Sequence, residues 1–323
     1  MRSDLFQRRF IIVCGKGGVG KSTLCMALGL AAARAGRRTC VVQINTRDAI
    51  GRFFNQPPID YEPRRLDPTL PLYGCNLRPR QALREYSLMK LRFRALHRLV
   101  FENEVMRRLL AMLPGMTETL LLGKAWFMEE MAKEADGRPT WDTLVIDAPS
   151  TGHGVALFRL PEVILQAVPV GPMADDAKKM HALLSDPQRT SFNIVTLPLE
   201  LPVNETLQLQ RQAREVIGLP PGFIFANMVL PDLLGSRAAG RVGTLTGSGD
   251  PMIAAAAQNA AAYDRRRQAE QVQLQRLRDG AELPVIELPH LLQSMDRSGV
   301  ERLGDLVELG MAGCVPDPVQ VEK

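Results

Sequence analysis

One glycine-rich loop, placed between an apolar strand pattern and a helical pattern, constrains the fold of this chain most. Residues 15 to 23 read Gly-Lys-Gly-Gly-Val-Gly-Lys-Ser-Thr and fit the phosphate-loop pattern G-x-x-x-x-G-K-[ST]. The residues before the loop, 10 to 13, form a short apolar run that is typical of a buried parallel strand. After the loop, apolar residues recur at helical spacing at Leu24, Ala27, Leu28 and Ala31. A strand, a glycine loop and a helix in this order predict an α/β fold.

The residue types of the loop are those that the binding of nucleotide phosphates requires. Glycines allow the backbone to fold around an anion with its N–H groups pointing inward. Lys21 would lie against the β- and γ-phosphates, and the hydroxyl of Ser22 would ligate Mg²⁺. The N-terminal end of the following helix adds a partial positive charge. We therefore expect a nucleotide to contact the whole loop, which consists of Gly15, Lys16, Gly17, Gly18, Val19, Gly20, Lys21, Ser22 and Thr23.

A second candidate site follows the apolar run 141–146. Asp147 at the end of such a strand is the Walker B arrangement, which holds Mg²⁺ directly or through water. The alternative is a structural role in which Asp147 caps the helix that follows. Gly152 and Gly154 predict a segment that moves when the γ-phosphate binds or is released. His153, between them, is open to a structural or a functional interpretation.

The composition is that of a soluble globular protein, because 46% of the 323 residues are hydrophobic and 23% are charged. We expect neither a secretory signal in residues 1–9 nor a membrane span, since no apolar run approaches the ~18 residues that a span requires. The net charge of +5 is attributed to solvated helix faces, so no nucleic acid is expected as a partner. Without C-x-x-C spacing the cysteines favour a reducing cytosol, with no zinc site and no disulfides; they stand at positions 14, 25, 40, 75 and 314.

The rest of the chain alternates between strand and helix patterns. This alternation predicts a mostly parallel sheet with helices on both faces, in a single domain over residues 1–323. Further strands are expected at 40–44, 141–146, 192–196, 222–227 and 284–286, and helices at 157–187, 204–217, 252–278 and 298–310. Loops are expected at 55–73 and 235–250, an exit turn at Leu288-Pro289-His290, and a disordered tail after Cys314.

Residues 78–133 have a different character and predict a helical insertion in the sheet, broken at Pro114-Gly115. The further helical segments at 157–187 would accompany it. The insertion is rich in methionine, which has two interpretations. The side chains either fill gaps in a core or form an adaptable apolar groove for a partner. The methionines are Met89, Met106, Met112, Met116, Met128 and Met131.

Several of these segments together resemble the ArsA family, which contains the arsenite-pump ATPases and the ATPases that deliver tail-anchored membrane proteins. The second lysine of the loop, Lys16, matches the deviant phosphate loop shared with MinD, ParA and the nitrogenase iron protein. The segment 147–154 resembles the second switch of the family. Asn227 resembles the asparagine that reads adenine, and Leu288-Pro289 resembles the turn that closes over the base. The amino-acid sequences of segments 122–126 and 201–206 are most similar to those of uncharacterised single-domain bacterial members.

The resemblance implies a dimeric ATPase with ATP and Mg²⁺ at its centre. Lys16 would reach across the dimer to the nucleotide of the partner, Ser22 and Asp147 would hold the metal, and Asn227 and Pro289 would contact the base. The dimer is either a homodimer or a heterodimer with an ArsA-like paralogue. A hydrophobic client protein would bind the helical subdomain of this cytoplasmic switch, and a membrane would be contacted only through that client.

Three departures from the family pattern qualify this expectation. Asn45 stands where the family has the aspartate that positions the attacking water, so hydrolysis is expected to be slow. Asp48, three residues further on, is an alternative for that role. The cysteine pair that joins tail-anchor factors through zinc is missing, and so is the cysteine trio of the arsenite site.

Two other functions remain open from the sequence. With Asn45 in the water-positioning place, the chain could be an ATP-binding subunit that pairs with a catalytic paralogue. A MinD- or ParA-like positioning ATPase would need a basic amphipathic end or a basic DNA face. The tail from 311 to 323 carries a single basic residue, Lys323, and offers no such anchor.

Overall fold

The computed structural model describes residues 5–44, 50–90, 116–167 and 169–313. In this part of the chain one sheet has the strand order β3-β4-β2-β5-β1-β6-β7-β8, and all neighbours are parallel except the short β3, which is antiparallel to β4. The strands are β1 (Phe10–Gly15), β2 (Thr39–Ile44), β3 (Arg64–Arg65), β4 (Leu72–Leu77), β5 (Thr143–Ser150), β6 (Thr190–Thr196), β7 (Pro221–Val229) and β8 (Val285–Pro289).

The described helices connect these strands. They are α1 (Lys21–Arg34), α2 (Pro79–Lys90), α3 (Met116–Glu130), α4 (Thr151–Ala167), α5 (Pro172–Ser185), α6 (Glu200–Gln212), α7 (Gly235–Leu245), α8 (Pro251–Gly280) and α9 (Arg297–Met311). A π-helical turn, Ala213–Ile217, continues α6. Short 3-10 turns lie at Leu5–Gln7 and Gly51–Phe54.

Two apolar cores, one on each face of the sheet, confirm the predicted architecture. In β1, Ile11 and Val13 belong to the core under α1 and α9, whereas Phe10 and Ile12 belong to the core under α3 to α6 and α8. This alternation follows from the two-residue period of a strand. Both faces of the central strands are covered, which explains why β1, β2 and β6 are buried along their whole length.

Two loops were predicted wrongly. The segment 55–73 contains β3 and the start of β4, whose pairing with β2 extends the sheet. The segment 235–250 contains α7, which packs against α8. The sequence of α7 is rich in glycine, which lowers helix propensity, so tertiary packing rather than intrinsic preference accounts for this helix.

The segment predicted as a helical insertion is described only in part. The helices α2 and α3 lie within 78–133, whereas the Pro114-Gly115 break and the tail after residue 313 lie outside the described residues. Of the methionines whose side chains are described, Met128 is buried and Met131 is 52% exposed. The four described cysteines are buried free thiols. None of the helices in the described ranges is both long enough and apolar enough to cross a membrane.

Candidate nucleotide site

The glycine loop lies between β1 and α1, and its first and last glycines are required by their surroundings. A Cβ at Gly15 would stand 2.3 Å from the carbonyl oxygen of Val195 in the neighbouring strand β6. A Cβ at Gly20 would stand 2.3 Å from Nδ2 of Asn227, and the φ of Gly20 is 94°. The two glycines therefore allow the loop to lie against β6 and β7, as a close backbone approach demands.

The N-terminal end of α1 is open toward the loop. Gly20 precedes the helix in a left-handed conformation and supplies no side-chain cap, so the first backbone N–H groups of α1 are left for another acceptor. Lys21, the first helical residue, donates from Nζ to the carbonyl oxygen of Lys16 at 2.9 Å. A lysine folded back over open helical N–H groups is suited to an anion such as a phosphate.

Asp147 lies under this helix end and contacts the loop directly. The hydroxyl of Ser22 donates to Oδ2 of Asp147 at 2.6 Å, and Nε2 of Gln43 donates to the same oxygen at 3.3 Å. Burial raises the pKa of Asp147 above its ordinary value, although the hydrogen bonds from Ser22 and Gln43 and the charge of Lys21 oppose this. The predicted neighbours Ser22 and Asp147 are therefore brought together although 125 residues separate them.

One detail of the Asp147 prediction was wrong, and the alternative role as a helix cap does not apply. The strand β5 continues to Ser150, so Asp147 lies inside the strand and does not terminate it. It does not cap the next helix, because α4 begins only at Thr151. Gly152, His153 and Gly154 lie in the first turn of that helix.

The pair of Ser22 and Asp147 fits a magnesium ion that is shared with phosphates. Mg²⁺ is usually held by one or two carboxylates together with substrate oxygens rather than by a cage of protein ligands. In the described part of the chain no group of three histidine, cysteine, aspartate or glutamate side chains could hold a metal. A hydroxyl and a single buried carboxylate beside a phosphate loop therefore match the first arrangement.

Lys16 is paired with its own chain. Its Nζ lies 2.6 Å from Oε1 of Glu205 in α6, and the two side chains are 37% and 32% exposed. The other carboxylate oxygen, Oε2 of Glu205, is buried and has no hydrogen-bond partner in the structure. Sequence reasoning did not select Glu205. The residue lies 189 positions from Lys16, and no pattern in the neighbouring sequence indicates that the two side chains are in contact.

The two predicted base contacts lie on neighbouring strands. Asn227 is buried in β7, two residues before its end, and donates from Nδ2 to the carbonyl oxygen of Val19 at 2.9 Å. Pro289 was expected in an exit turn, but it is the last residue of β8 and is paired with Val229. The parallel pairing of β7 with β8 continues past a register shift and keeps Pro289 in the sheet.

Two predicted site residues, Asn45 and Asp48, lie outside the described residues. They follow β2, in which Gln43 is the partner of Asp147 in the strand register. Sequence reasoning also missed Gln43. The available signal was a polar side chain directly before the last residue of a buried strand, within the run Cys-Val-Val-Gln-Ile.

Comparison with known proteins agrees with this geometry. A family model described as anion-transporting ATPase matches residues 8–169. ATPase BagA of Mycobacterium tuberculosis is 29% identical over 234 residues, which cover 69% of this chain and 66% of that protein. The arsenical pump-driving ATPases of Acidiphilium multivorum and Escherichia coli are 26% and 25% identical over 69% of this chain. The matches thus span just under two thirds of BagA and 40% of the two pump-driving ATPases.

Proposed function

Because the chain belongs to the anion-transporting ATPase family, we propose that it binds and hydrolyses ATP with Mg²⁺ and acts as a dimeric switch. The observation that carries the proposal is the contact between Ser22 and Asp147 beneath the open N-terminal end of α1. It joins a metal-binding pair to a phosphate-binding loop in one place. A loop with only a structural role would not need the buried carboxylate of Asp147, because burial raises the pKa of this group and so disfavours its charged form.

Each residue of the site has a role in this proposal. The loop N–H groups and Lys21 hold the phosphates, and Ser22 and Asp147 hold Mg²⁺, which neutralises phosphate charge when bound. Asn227 and Pro289 lie on the side of the base. Asn45 orients the attacking water, with Asp48 as the alternative. An amide accepts a proton poorly, so we expect slow turnover.

Lys16 acts between subunits in the proposed dimer. In the structure it is held by Glu205 of its own chain, so it has to leave this carboxylate before it reaches the nucleotide of a partner. The partner is a second copy of the chain or an ArsA-like paralogue. The exposure of both side chains keeps the cost of this release small, because ion pairs at the surface contribute at most about 1 kcal/mol.

The helices α2 to α5 offer the place for a hydrophobic client of this cytoplasmic switch. They enclose a pocket of about 270 Å³ whose walls include Trp126, Phe127, Met131, Ile164 and Met173. Met131 and Met173 are 52% and 42% exposed. Exposed methionines beside aromatic walls are suited to apolar partners of varied shape.

The test is steady-state phosphate release by the purified chain with Mg-ATP. We expect slow release that is lost in the Lys21→Ala and Lys16→Ala variants and that rises in Asn45→Asp. The loss in Lys16→Ala should be accompanied by unchanged binding of ADP, because Lys16 is proposed to act on the nucleotide of the partner. A chain that neither binds nor hydrolyses ATP would refute the proposal.

Asn45 also supports a second candidate, a nucleotide-holding subunit that pairs with a catalytic paralogue. This candidate predicts that the chain binds ATP tightly and releases no phosphate until aspartate is placed at position 45. Turnover by the unaltered chain at a rate proportional to the square of its concentration would favour the homodimeric ATPase instead.

A further inference from the structure

Met228, next to Asn227 at the end of β7, has an unusual backbone. Its φ is 57°, and only one other non-glycine residue in the described part of the chain, Asn55, has a positive φ. This left-handed conformation is unfavourable for a residue with a long side chain, because Cβ approaches the following carbonyl oxygen. Such strain persists only where the surroundings impose it, and it is concentrated at functional sites.

The neighbours of Met228 impose this conformation. The pairing of β7 with β8 shifts register between Ala226 and Val229, which makes room for an extra residue at this point. Asn227 is tied to the glycine loop through Val19. Hydrogen bonds also hold the next three residues. The carbonyl oxygen of Val229 accepts from the backbone nitrogen of His290 at 2.8 Å, and the backbone nitrogen of Leu230 donates to Oε2 of Glu270 at 3.0 Å. The carbonyl oxygen of Pro231 accepts from the hydroxyl of Tyr263 at 2.8 Å.

The result is an exposed thioether beside the loop. Met228 is 39% exposed although it belongs to a strand whose neighbouring residues Ala226, Asn227 and Val229 are buried. Its Cε lies 3.5 Å from the point where a Cβ on Gly20 would stand, next to the first turn of α1. The side chain therefore lies beside the amide of Asn227, the residue proposed to contact the base, and it offers a phosphate neither charge nor a hydrogen-bond donor.

A thioether beside Asn227 suits the base of a nucleotide rather than its phosphates. Methionine makes favourable contacts with aromatic rings, and its unbranched chain adapts to their outline. We propose that Met228 is a base-contacting residue of the nucleotide site, on whose side chain the heteroaromatic base packs. The inference rests on the proposed function, because it requires that a nucleoside triphosphate occupies the loop.

The test compares two ligands that share the phosphates and differ in the base. We would measure the binding of Mg-ATP and of Mg-tripolyphosphate by calorimetry on the unaltered chain and on Met228→Ala, Met228→Leu and Met252→Ala. Met228→Ala should weaken ATP binding about two- to ten-fold, which is the range expected for a sulfur–aromatic contact. It should leave tripolyphosphate binding unchanged, and Met228→Leu should recover most of the loss.

The control variant removes Met252, a methionine in the first turn of α8 that is 81% exposed. Met252→Ala should bind both ligands as the unaltered chain does. Equal weakening of ATP and tripolyphosphate by Met228→Ala would overturn the inference, since Met228 would then shape the loop rather than contact the base. Unchanged binding of ATP would also overturn it. Failure of the proposed function is a separate outcome, in which the unaltered chain binds neither ligand.

Discussion

The last glycine of the phosphate loop, Gly20, combines a left-handed backbone with a close neighbour. A side chain there would meet the amide of Asn227, which is buried and already bonded to Val19. The residue therefore couples the loop to β7. The same amide is proposed to lie near the base, so a disturbance at Gly20 should affect both ends of the proposed nucleotide site.

We predict that Gly20→Ala lowers the free energy of unfolding by about 1–3 kcal/mol and abolishes tight ATP binding. The matched control is Gly36→Ala, because Gly36 has a φ of 80° but no neighbouring atom within 4 Å of the position that a Cβ would take. It should cost about 1–2 kcal/mol from backbone strain alone and leave ATP binding unchanged. Urea unfolding and calorimetry measure the two effects. Tight ATP binding by Gly20→Ala would contradict the prediction.

At the scale of elements, a buried aspartate joins the β3–β4 connection to α9. Asp67 is fully buried, and its Oδ1 accepts hydrogen bonds from Thr69 and Leu70. Its Oδ2 lies 2.8 Å from the guanidinium of Arg297 at the start of α9. Burial raises the pKa of Asp67, but the hydrogen bonds and the charge of Arg297 together lower it below the ordinary value of 3.8.

We predict a pH-dependent loss of stability in Asp67→Asn. A carboxylate with a lowered pKa stabilises the fold above its ordinary pKa of 3.8, and this contribution is lost as the pH falls through the lowered value. The variant should therefore be less stable by about 1–3 kcal/mol at neutral pH. The difference from the unaltered chain should shrink as the pH falls below 3.8. Thermal unfolding across this range is the measurement, and a difference independent of pH would contradict the assignment.

A second link between elements is the ion pair of Lys16 in the loop with Glu205 in α6. If Lys16 acts on the nucleotide of a partner, this pair competes with dimer formation. Glu205→Gln keeps the shape of the side chain but removes its charge. We predict that it lowers the ATP concentration needed for half-maximal dimerisation by about two- to five-fold, because the pair is partly exposed and worth less than about 1 kcal/mol.

Sedimentation velocity with Mg-ATP measures this shift. In the Lys16→Ala background the Glu205→Gln substitution should have no further effect, because its only proposed partner is then absent. Weaker dimerisation of the Glu205→Gln variant would show that Glu205 is needed in the dimer itself. That result would rule out competition between the ion pair and dimer formation.

At the scale of the whole molecule, one helix connects the strand that carries Asp147 to the apolar pocket. The strand β5 carries Asp147, α4 follows it directly, and Ile164 near the end of α4 lines the pocket. A shift of α4 would therefore alter both the pocket and the proposed phosphate site around Asp147. This continuity gives the proposed switch a physical path through a single packed helix.

We predict that the pocket binds the fluorescent apolar probe 8-anilinonaphthalene-1-sulfonate and that the signal differs between the Mg-ADP form and a form with a non-hydrolysable ATP analogue. Met131→Glu should lower the signal in both forms, because it places a negative charge at the edge of the pocket that repels the sulfonate of the probe. Met252→Glu, at an exposed position outside the pocket, is the control and should not change it. Identical signals in the two nucleotide forms would argue against coupling between the sites.

Local sequence patterns were sufficient for much of the fold. The apolar runs predicted β1, β2 and β6, because strands that are buried on both faces consist mostly of apolar residues. The alanine- and arginine-rich stretch predicted α8, because these residues have a high helix propensity. The loop residues from Gly15 to Thr23 were recognisable from the spacing of their glycines and lysine. By contrast, α7, the edge strand β3 and its neighbour β4 depend on packing against α8 and on pairing with β2, and their own residues indicate loops.

The sequence by itself determined that the chain has a loop of the phosphate-binding pattern, a mostly parallel sheet around it and Asp147 in a buried strand of that sheet. Only the tertiary structure decided which distant side chains meet there. The order of the strands places Asp147 and Gln43 beside Ser22. The placement of α6 brings Glu205 into contact with Lys16, and the register shift in β7 gives Met228 its strained, exposed position. These contacts depend on strand order, register and helix placement, which no local pattern encodes, because residues more than a hundred positions apart become neighbours only when the sheet is complete.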